Sequence, residues 1–196
     1  MRQLILLLCL LVTVCVVDAQ QANGVSGGPI TARVSILQQS YCRGDADVFT
    51  VSLRLKLEVV SSSKTRVYVL WPMVPFIGKV ARSLGDAESQ RFLYEMTASH
   101  YAQDITRFDR LKIEPGNKVT VQTGYDLVAR YEGAVSIPWS VSAGSYAVVL
   151  VLMPEEEPPT RLKGPETLKS LTTEPFVVEV PAHPKLVKCD VGAKAQ

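Results

Sequence analysis

The chain contains only two histidines, His100 and His183, far apart and outside any recognisable metal-ligand pattern. A zinc site needs three or four ligands at short, recurrent intervals, so the sequence predicts ordinary loop histidines. There is also no Gly-x-Ser-x-Gly elbow, no phosphate-binding glycine loop and no dinucleotide fingerprint, the motifs that hold a nucleophile or a nucleotide in place. A serine triad would have to use one of these two histidines with nothing to single out its serine. The expectation is a chain without catalytic residues, cofactor or metal.

Three stretches carry residue types suited to recognition. Residues 71–76 set Trp71, Met73 and Phe76 around Pro72 and Pro75. Proline cannot donate to a sheet ladder, so this run is expected at a strand end or a bulged edge. Exposed apolar side chains there would mark a partner site, and burial in the core is the competing reading. Residues 154–173 are punctuated by Pro158, Pro159 and Pro165 and carry Glu155, Glu156, Glu157 and Arg161. They read as a loop longer than most connections between strands, and this loop is the preferred binding site, against a tolerated surface insertion. Asp45 and Asp47 with the three glutamates offer oxygen ligands to calcium but lack regular ligand spacing, so a solvated acidic loop is expected. Arg43-Gly44-Asp45 resembles the tripeptide of integrin-binding loops. Glycine with aspartate is also what a tight turn uses, and a turn is the expected reading.

Residues 1–19 have the form of an export signal: Arg2, then a run from 4 to 17 that is apolar but for Thr13, then Val17-Asp18-Ala19 with cleavage after Ala19. The run is about 14 residues, shorter than the roughly 20 that span a bilayer as a helix, and no later stretch is longer. A lipid anchor at Cys15 is disfavoured because Val14 is bulky. The expectation is a secreted or periplasmic product of about 177 residues, one domain, with no membrane span after signal removal. Cys9 and Cys15 leave with the signal. Cys42 and Cys189 remain and are expected to be bridged in an oxidising compartment, two free thiols being the alternative. The formal charge is +2 with the bases spread along the chain, so nucleic acid is not a favoured partner, and no basic amphipathic helix points to a membrane surface. Neither Asn23 nor Asn117 begins a glycosylation sequon.

The elements that position these residues read as strands. In residues 48–60, Phe49, Val51, Leu53, Leu55, Leu57 and Val59 alternate with polar residues, a period of two that makes one apolar face on a pleated strand and scatters around a helix. Residues 20–29 read as a flexible leader, and Ile30, Ala32, Val34 and Ile36 open a first strand that runs toward a turn over 41–47. Residues 66–71 are a third strand, and 77–83 resume an edge strand. Within 84–105 the alternation of Phe92, Tyr94 and Met96 favours a strand, with a helical turn or two as the alternative. Glu114-Pro115-Gly116-Asn117 is a turn between two strands. Residues 126–132 read as one or two helical turns crossing between sheets. Residues 145–153, apolar on both faces, form a central strand. Phe176, Val178 and Val180 mark the closing strand. The domain is expected over 30–181, with a tail at 182–196.

Gly144-Ser145-Tyr146 and the run Glu174-Pro175-Phe176-Val177-Val178-Glu179-Val180 give the chain a pattern that resembles a secreted immunoglobulin-like β-sandwich. The Gly-x-Tyr is similar to the tyrosine corner of such domains, whose hydroxyl bonds back to nearby backbone. The resemblance implies an all-β, antiparallel two-sheet immunoglobulin-like sandwich of about 7–9 strands, with Tyr146 structural. Ser142 stands where an acid is common and Val148 where the second antibody cysteine would be, so an antibody-type domain is not expected. The fold carries no activity by itself. The expected function is an exported, non-catalytic binding or accessory module that recognises a protein or surface polymer through loops or a sheet edge. The alternatives are a proteinase inhibitor presenting a loop, and an enzyme of unknown type that would need His100 or His183 beside a nucleophile.

Overall fold

The computed structural model describes residues 30–44, 47–71, 74–97, 109–135, 138–153, 167–168 and 170–189. The export-signal run, the leader and residues 154–166 lie outside them. In order the chain forms β1 (Ile30–Arg43), β2 (Val48–Ser61), β3 (Val67–Trp71), β4 (Val74–Ala81), α1 (Leu84–Glu88), β5 (Tyr94–Thr97), β6 (Asp109–Ile113), β7 (Lys118–Arg130), β8 (Gly144–Met153), β9 (Thr167–Leu168), β10 (Leu171–Thr172) and β11 (Phe176–Val180). The pairing is antiparallel throughout, except for β9 alongside β3 and a few isolated bridges. No helix among the described residues is long and apolar enough to cross a membrane.

Alternation in β2 builds the first sheet. Its odd-numbered residues from Phe49 to Val59 are each no more than 2% exposed, and fully burying a side chain of this size is worth roughly 1.5–3 kcal/mol. β1 and β7 flank it in the order β1-β2-β7. The β2–β7 register runs unbroken from Val60 opposite Lys118 to Val48 opposite Arg130. The β1–β2 register slips once, at Leu37, whose side chain is left in solvent.

The second layer is built around β8. β4 lies on one side of β8 and β10 and β11 on the other, with β5 outside β4. β3 pairs with β6 and β9 in a further three-stranded sheet. Val148, Leu150 and Leu152 of β8 pack with the β2 row, Leu127, Val69, Val80, Ile113 and Val178 in one core. The opposite face of β8 is apolar for a separate reason: Ala147 and Val149 are covered by Ala87 of α1, Ala81 and Phe92. That helix is only five residues long. Ser83 caps it, accepting from the Asp86 N–H at 3.1 Å and donating to the Asp86 carboxylate at 2.9 Å.

Four readings of the sequence change. Residues 126–130 are strand, because Leu127 and Ala129 continue the inward alternation of Tyr125 and pair with Val51 and Phe49. Residues 77–81 are no edge: β4 has β5 on one side and β8 on the other. β1 extends to Arg43, so Cys42 is in a strand rather than a turn. The connection after β8 is not loop to residue 173, since Leu171 and Thr173 are buried and paired.

At Thr173 the chain, paired with β8 before and after it, also touches β1 of the first sheet. Its N–H donates to the Leu150 carbonyl at 2.9 Å, and its hydroxyl accepts from the Leu150 N–H at 3.0 Å. The next residue, Glu174, donates its N–H to the Ala32 carbonyl of β1 at 2.7 Å. One threonine thus completes the β8 ladder with a side-chain oxygen and frees the backbone to reach the first sheet. Thr173→Val keeps the shape and removes that acceptor, leaving the buried Leu150 N–H unpaired. The expected loss is about 2 kcal/mol by urea denaturation, with the native topology kept in amide hydrogen exchange elsewhere in β8.

Candidate functional site

Four segments distant in sequence meet at one end of the sheets around a cleft of about 470 Å3. Arg82, between β4 and α1, stands on one wall with Leu93 and Tyr94 at the entry to β5. The Leu93 N–H donates to the Val80 carbonyl at 2.7 Å, which fixes that entry beside β4. Arg130, at the end of β7, forms a second wall with Pro138, Ser140 and Val141. This connection is held in place by backbone: Arg130 N–H donates to the Val141 carbonyl at 2.8 Å, and Val141 N–H to the Val128 carbonyl at 3.1 Å. Tyr146 of β8 closes the cleft with Ser142, Gly144 and Ser145.

Tyr146 donates its hydroxyl to the Ser142 carbonyl at 3.1 Å, with the Ser142 hydroxyl 3.2 Å away. This is the back-bond expected of a tyrosine entering a strand, and it pins the connection ahead of β8. The Tyr94 hydroxyl is buried without a hydrogen-bond partner among the described residues. Burial first, and then the nearby Tyr125 and Tyr146 hydroxyls, hold its pKa far above the ordinary phenol value. Tyr94 is therefore neutral at any physiological pH.

The lining is basic and rich in hydroxyl groups. Arg82 and Arg130 contribute positive charge, serine hydroxyls contribute donors, and the lining holds no histidine, cysteine or carboxylate among the described residues. Trp139, between the lining residues Pro138 and Ser140, is 53% exposed, and Leu93 on the wall is 44% exposed. Aromatic side chains of this kind anchor protein interfaces.

Other residues singled out from the sequence are placed elsewhere. Cys42 and Cys189 are joined in a disulfide with Cα atoms 5.3 Å apart, which the even pair had suggested. Trp71 ends β3 opposite Asp109, while its side chain, that of Phe76 and the whole of Met73 lie outside the described residues. Glu155, Glu156, Glu157, Arg161, Asp45 and His100 lie outside them too. His183 is exposed in the tail. A Cβ on Gly44 would stand 2.7 Å from the Val48 carbonyl oxygen, so the glycine of Arg43-Gly44-Asp45 is required by the close approach of β1 and β2. Sequence reasoning passed over Arg82, Leu93, Arg130 and Trp139. Pro138-Trp139 in a connection rich in serine was the available signal, because Pro138 cannot donate to a ladder and breaks the alternating run of Val135, Ile137, Trp139 and Val141 that would otherwise read as a strand burying the ring.

No family model matches the chain, and no curated protein or solved structure matches it.

Proposed function

We propose that the chain is an exported, non-catalytic immunoglobulin-like module that binds a protein or surface polymer through the cleft beside Trp139. The observation that carries this reading is the exposed tryptophan set next to a cleft lined by two arginines. Such a surface suits a partner that presents an acidic group beside an apolar one, with the ring giving area and the guanidinium groups giving direction. The immunoglobulin-like assignment is supported by strand order. With β1, β2 and β7 in the roles of A, B and E, and β3/β4, β8 and β10/β11 in those of C, F and G, the two layers follow the arrangement of such domains. The Tyr146 back-bond occupies the tyrosine-corner position. Export is supported by the signal-like residues 1–19 and by the Cys42–Cys189 bond. The binding site moves from residues 154–173, the loop preferred on sequence alone, to the connection between β7 and β8.

The test is affinity capture from the producing organism's envelope and culture fluid with the mature chain, repeated with Trp139→Ala and Arg82→Glu. Both side chains are at the surface, so both variants are expected to keep the native unfolding midpoint. Each is expected to weaken capture, Trp139→Ala by about 2 kcal/mol or roughly thirtyfold in Kd. A partner bound equally well by both folded variants would remove the cleft from the proposal.

A further inference from the structure

The connection from β2 to β3, residues 62–66, projects from the end of the sandwich opposite the cleft. At that end of β2 Val60 faces Lys118, whereas Val48 at the other end faces Arg130 of the cleft, and the two ends are roughly 40 Å apart along the strand. Exposed connections are ordinarily the mobile part of a domain. This one is tied down by hydroxyl groups at each step. Ser61, 1% exposed, accepts from the Ser63 N–H through Oγ at 3.3 Å. Ser63 Oγ in turn accepts from the Thr65 N–H at 3.1 Å and lies 3.1 Å from Thr65 Oγ1. Both sides of the loop are anchored to one turn: the Ser61 N–H donates to the Asn117 carbonyl at 3.3 Å, the Ser61 carbonyl accepts from the Gly116 N–H at 3.2 Å, and Arg66 Nε donates to Glu114 Oε2 at 3.3 Å. Lys64 stands between these anchors, exposed and with no partner for its ammonium group among the described residues. Arg66, the other base of the loop, is held by Glu114, and Val67 after it is 7% exposed. One basic side chain is therefore presented, on a backbone with no positive φ from 61 to 66.

These contacts bear directly on the peptide bond between Lys64 and Thr65. A serine protease breaks such a bond by joining its serine oxygen to the lysine carbonyl carbon as an ester, while the following nitrogen leaves as an amine with the proton that the serine gave up. In an ordinary substrate the amine then departs and water hydrolyses the ester. Here the departing Thr65 nitrogen and hydroxyl are both held by Ser63, which lies on the other side of the broken bond. Ser61 and Arg66 also stay fixed on the 114–117 turn. The amine is kept beside the ester, and its return to the Lys64 carbonyl re-forms the peptide bond and frees the serine. Holding two reactants together in this way makes their recombination effectively unimolecular.

We infer that residues 62–66 are an inhibitory loop for serine proteases with an acidic specificity pocket. Lys64 enters that pocket, and Ser63 with Thr65 holds the two ends of the attacked bond together. The loop arrives already ordered, so binding costs little conformational entropy. It lies at the opposite end of β2 from the cleft, so it stands or falls independently of what the cleft binds.

The mature chain, with its disulfide intact, is titrated into trypsin while hydrolysis of a small chromogenic lysine amide is followed. Saturable inhibition is expected with a Kd of about 10 nM or below, and mass spectrometry should show the Lys64–Thr65 bond cut slowly and incompletely. Lys64→Ala is expected to weaken inhibition about a hundredfold. Lys64→Leu is expected to lose trypsin and gain chymotrypsin, whose specificity pocket is apolar, a change of target that loss of folding does not produce. Ser63→Ala combined with Thr65→Val is expected to keep the native unfolding midpoint and to be cut after Lys64 about tenfold faster, because the amine is no longer held. A native chain that leaves trypsin fully active, cut or uncut, overturns the inference. Inhibition unchanged in Lys64→Ala overturns it as well, since the inhibitory site would then lie elsewhere in the chain.

Discussion

Gly78→Ala is expected to destabilise the chain by about 3 kcal/mol, the upper part of the range for forcing a methyl into a filled core. Gly78 lies on the core face of β4, opposite Leu150 of β8 and Met96 of β5. The ring of Tyr125, reaching across from β7, lies directly over it. A Cβ on Gly78 would collide with the Tyr125 hydroxyl and stand 2.6 Å from Cζ and 2.7 Å from Cε2. β4 is held on both sides, and Tyr125 is 4% exposed, so neither can move aside without breaking its own packing. The Tyr125 hydroxyl is also buried without a hydrogen-bond partner among the described residues, and burial drives its pKa far above the ordinary phenol value. Tyr125→Phe should therefore be neutral or stabilise by up to about 1 kcal/mol, since deleting an unpaired buried polar group removes a desolvation cost. In the Gly78→Ala background the same change removes the closest of three contacts, so it should recover part of the loss. Urea denaturation of the four proteins gives the coupling directly. A loss below about 1 kcal/mol for Gly78→Ala, with no coupling to Tyr125, would mean that the ring does not lie over Gly78 in solution.

Strands whose apolar residues alternate were legible in the sequence, and strands defined by their neighbours were not. β2 states its inner face in every second residue. β8 shows two apolar faces because it is covered twice, by β2 and β7 within and by α1 outside. Residues 126–130 show how the argument fails: Leu127 and Ala129 continue the period begun at Val119, but Arg130 and the following Tyr131-Glu132 also suit a helix. Pairing with Val51 and Phe49 decides in favour of strand. In the other direction, Ser83 and Asp86 are a cap-and-third-residue pair that announces a helix start, and the short apolar content of 84–88 hid it. β9 and β10, two residues each, have no period to read; β9 takes its place from pairing with Tyr68 and Val69, and β10 from the buried Leu171 and its pairing with β8.

The candidate cleft was less legible because no single stretch contains it. Arg82, Leu93, Arg130 and Ser142 come together through sheet order, which local composition does not encode. The two tryptophans make the same point, since each adjoins a proline: Trp71-Pro72 and Pro138-Trp139. Trp71 ends a β-branched, aromatic run that forms β3. Trp139 also stands in an alternating run, Val135, Ile137, Trp139 and Val141, but Pro138 interrupts it and the ring remains in solvent.

Loss of the Cys42–Cys189 bond is expected to have the largest effect on stability of any single change to this chain. The two cysteines are 147 residues apart, and in the chain-entropy model a closed loop of that length is worth about 5 kcal/mol, an upper figure. Domains are stable by only about 5–15 kcal/mol in total, so the bond accounts for a large part of the whole. Native contacts add to this locally. The tail from Pro181 onward returns along β1, where the Val187 N–H donates to the Tyr41 carbonyl at 2.8 Å and Leu186 packs on the core. Without the bond, one short parallel bridge at Cys42 and Val187 has to hold that segment. Cys42→Ala combined with Cys189→Ala should lower the unfolding free energy by several kcal/mol and Tm by roughly 10 °C, at about 2–4 °C per kcal/mol for a domain of this size. The urea m-value should rise, because an uncrosslinked denatured chain exposes more surface. That rise separates the two contributions: a fall in stability at constant m would assign the effect to the native contacts of the tail, and a fall with rising m to the denatured chain. If reduction cost nothing, the proposal of export would rest on residues 1–19 alone, since a bond that adds no stability gives no reason to place the chain in an oxidising compartment.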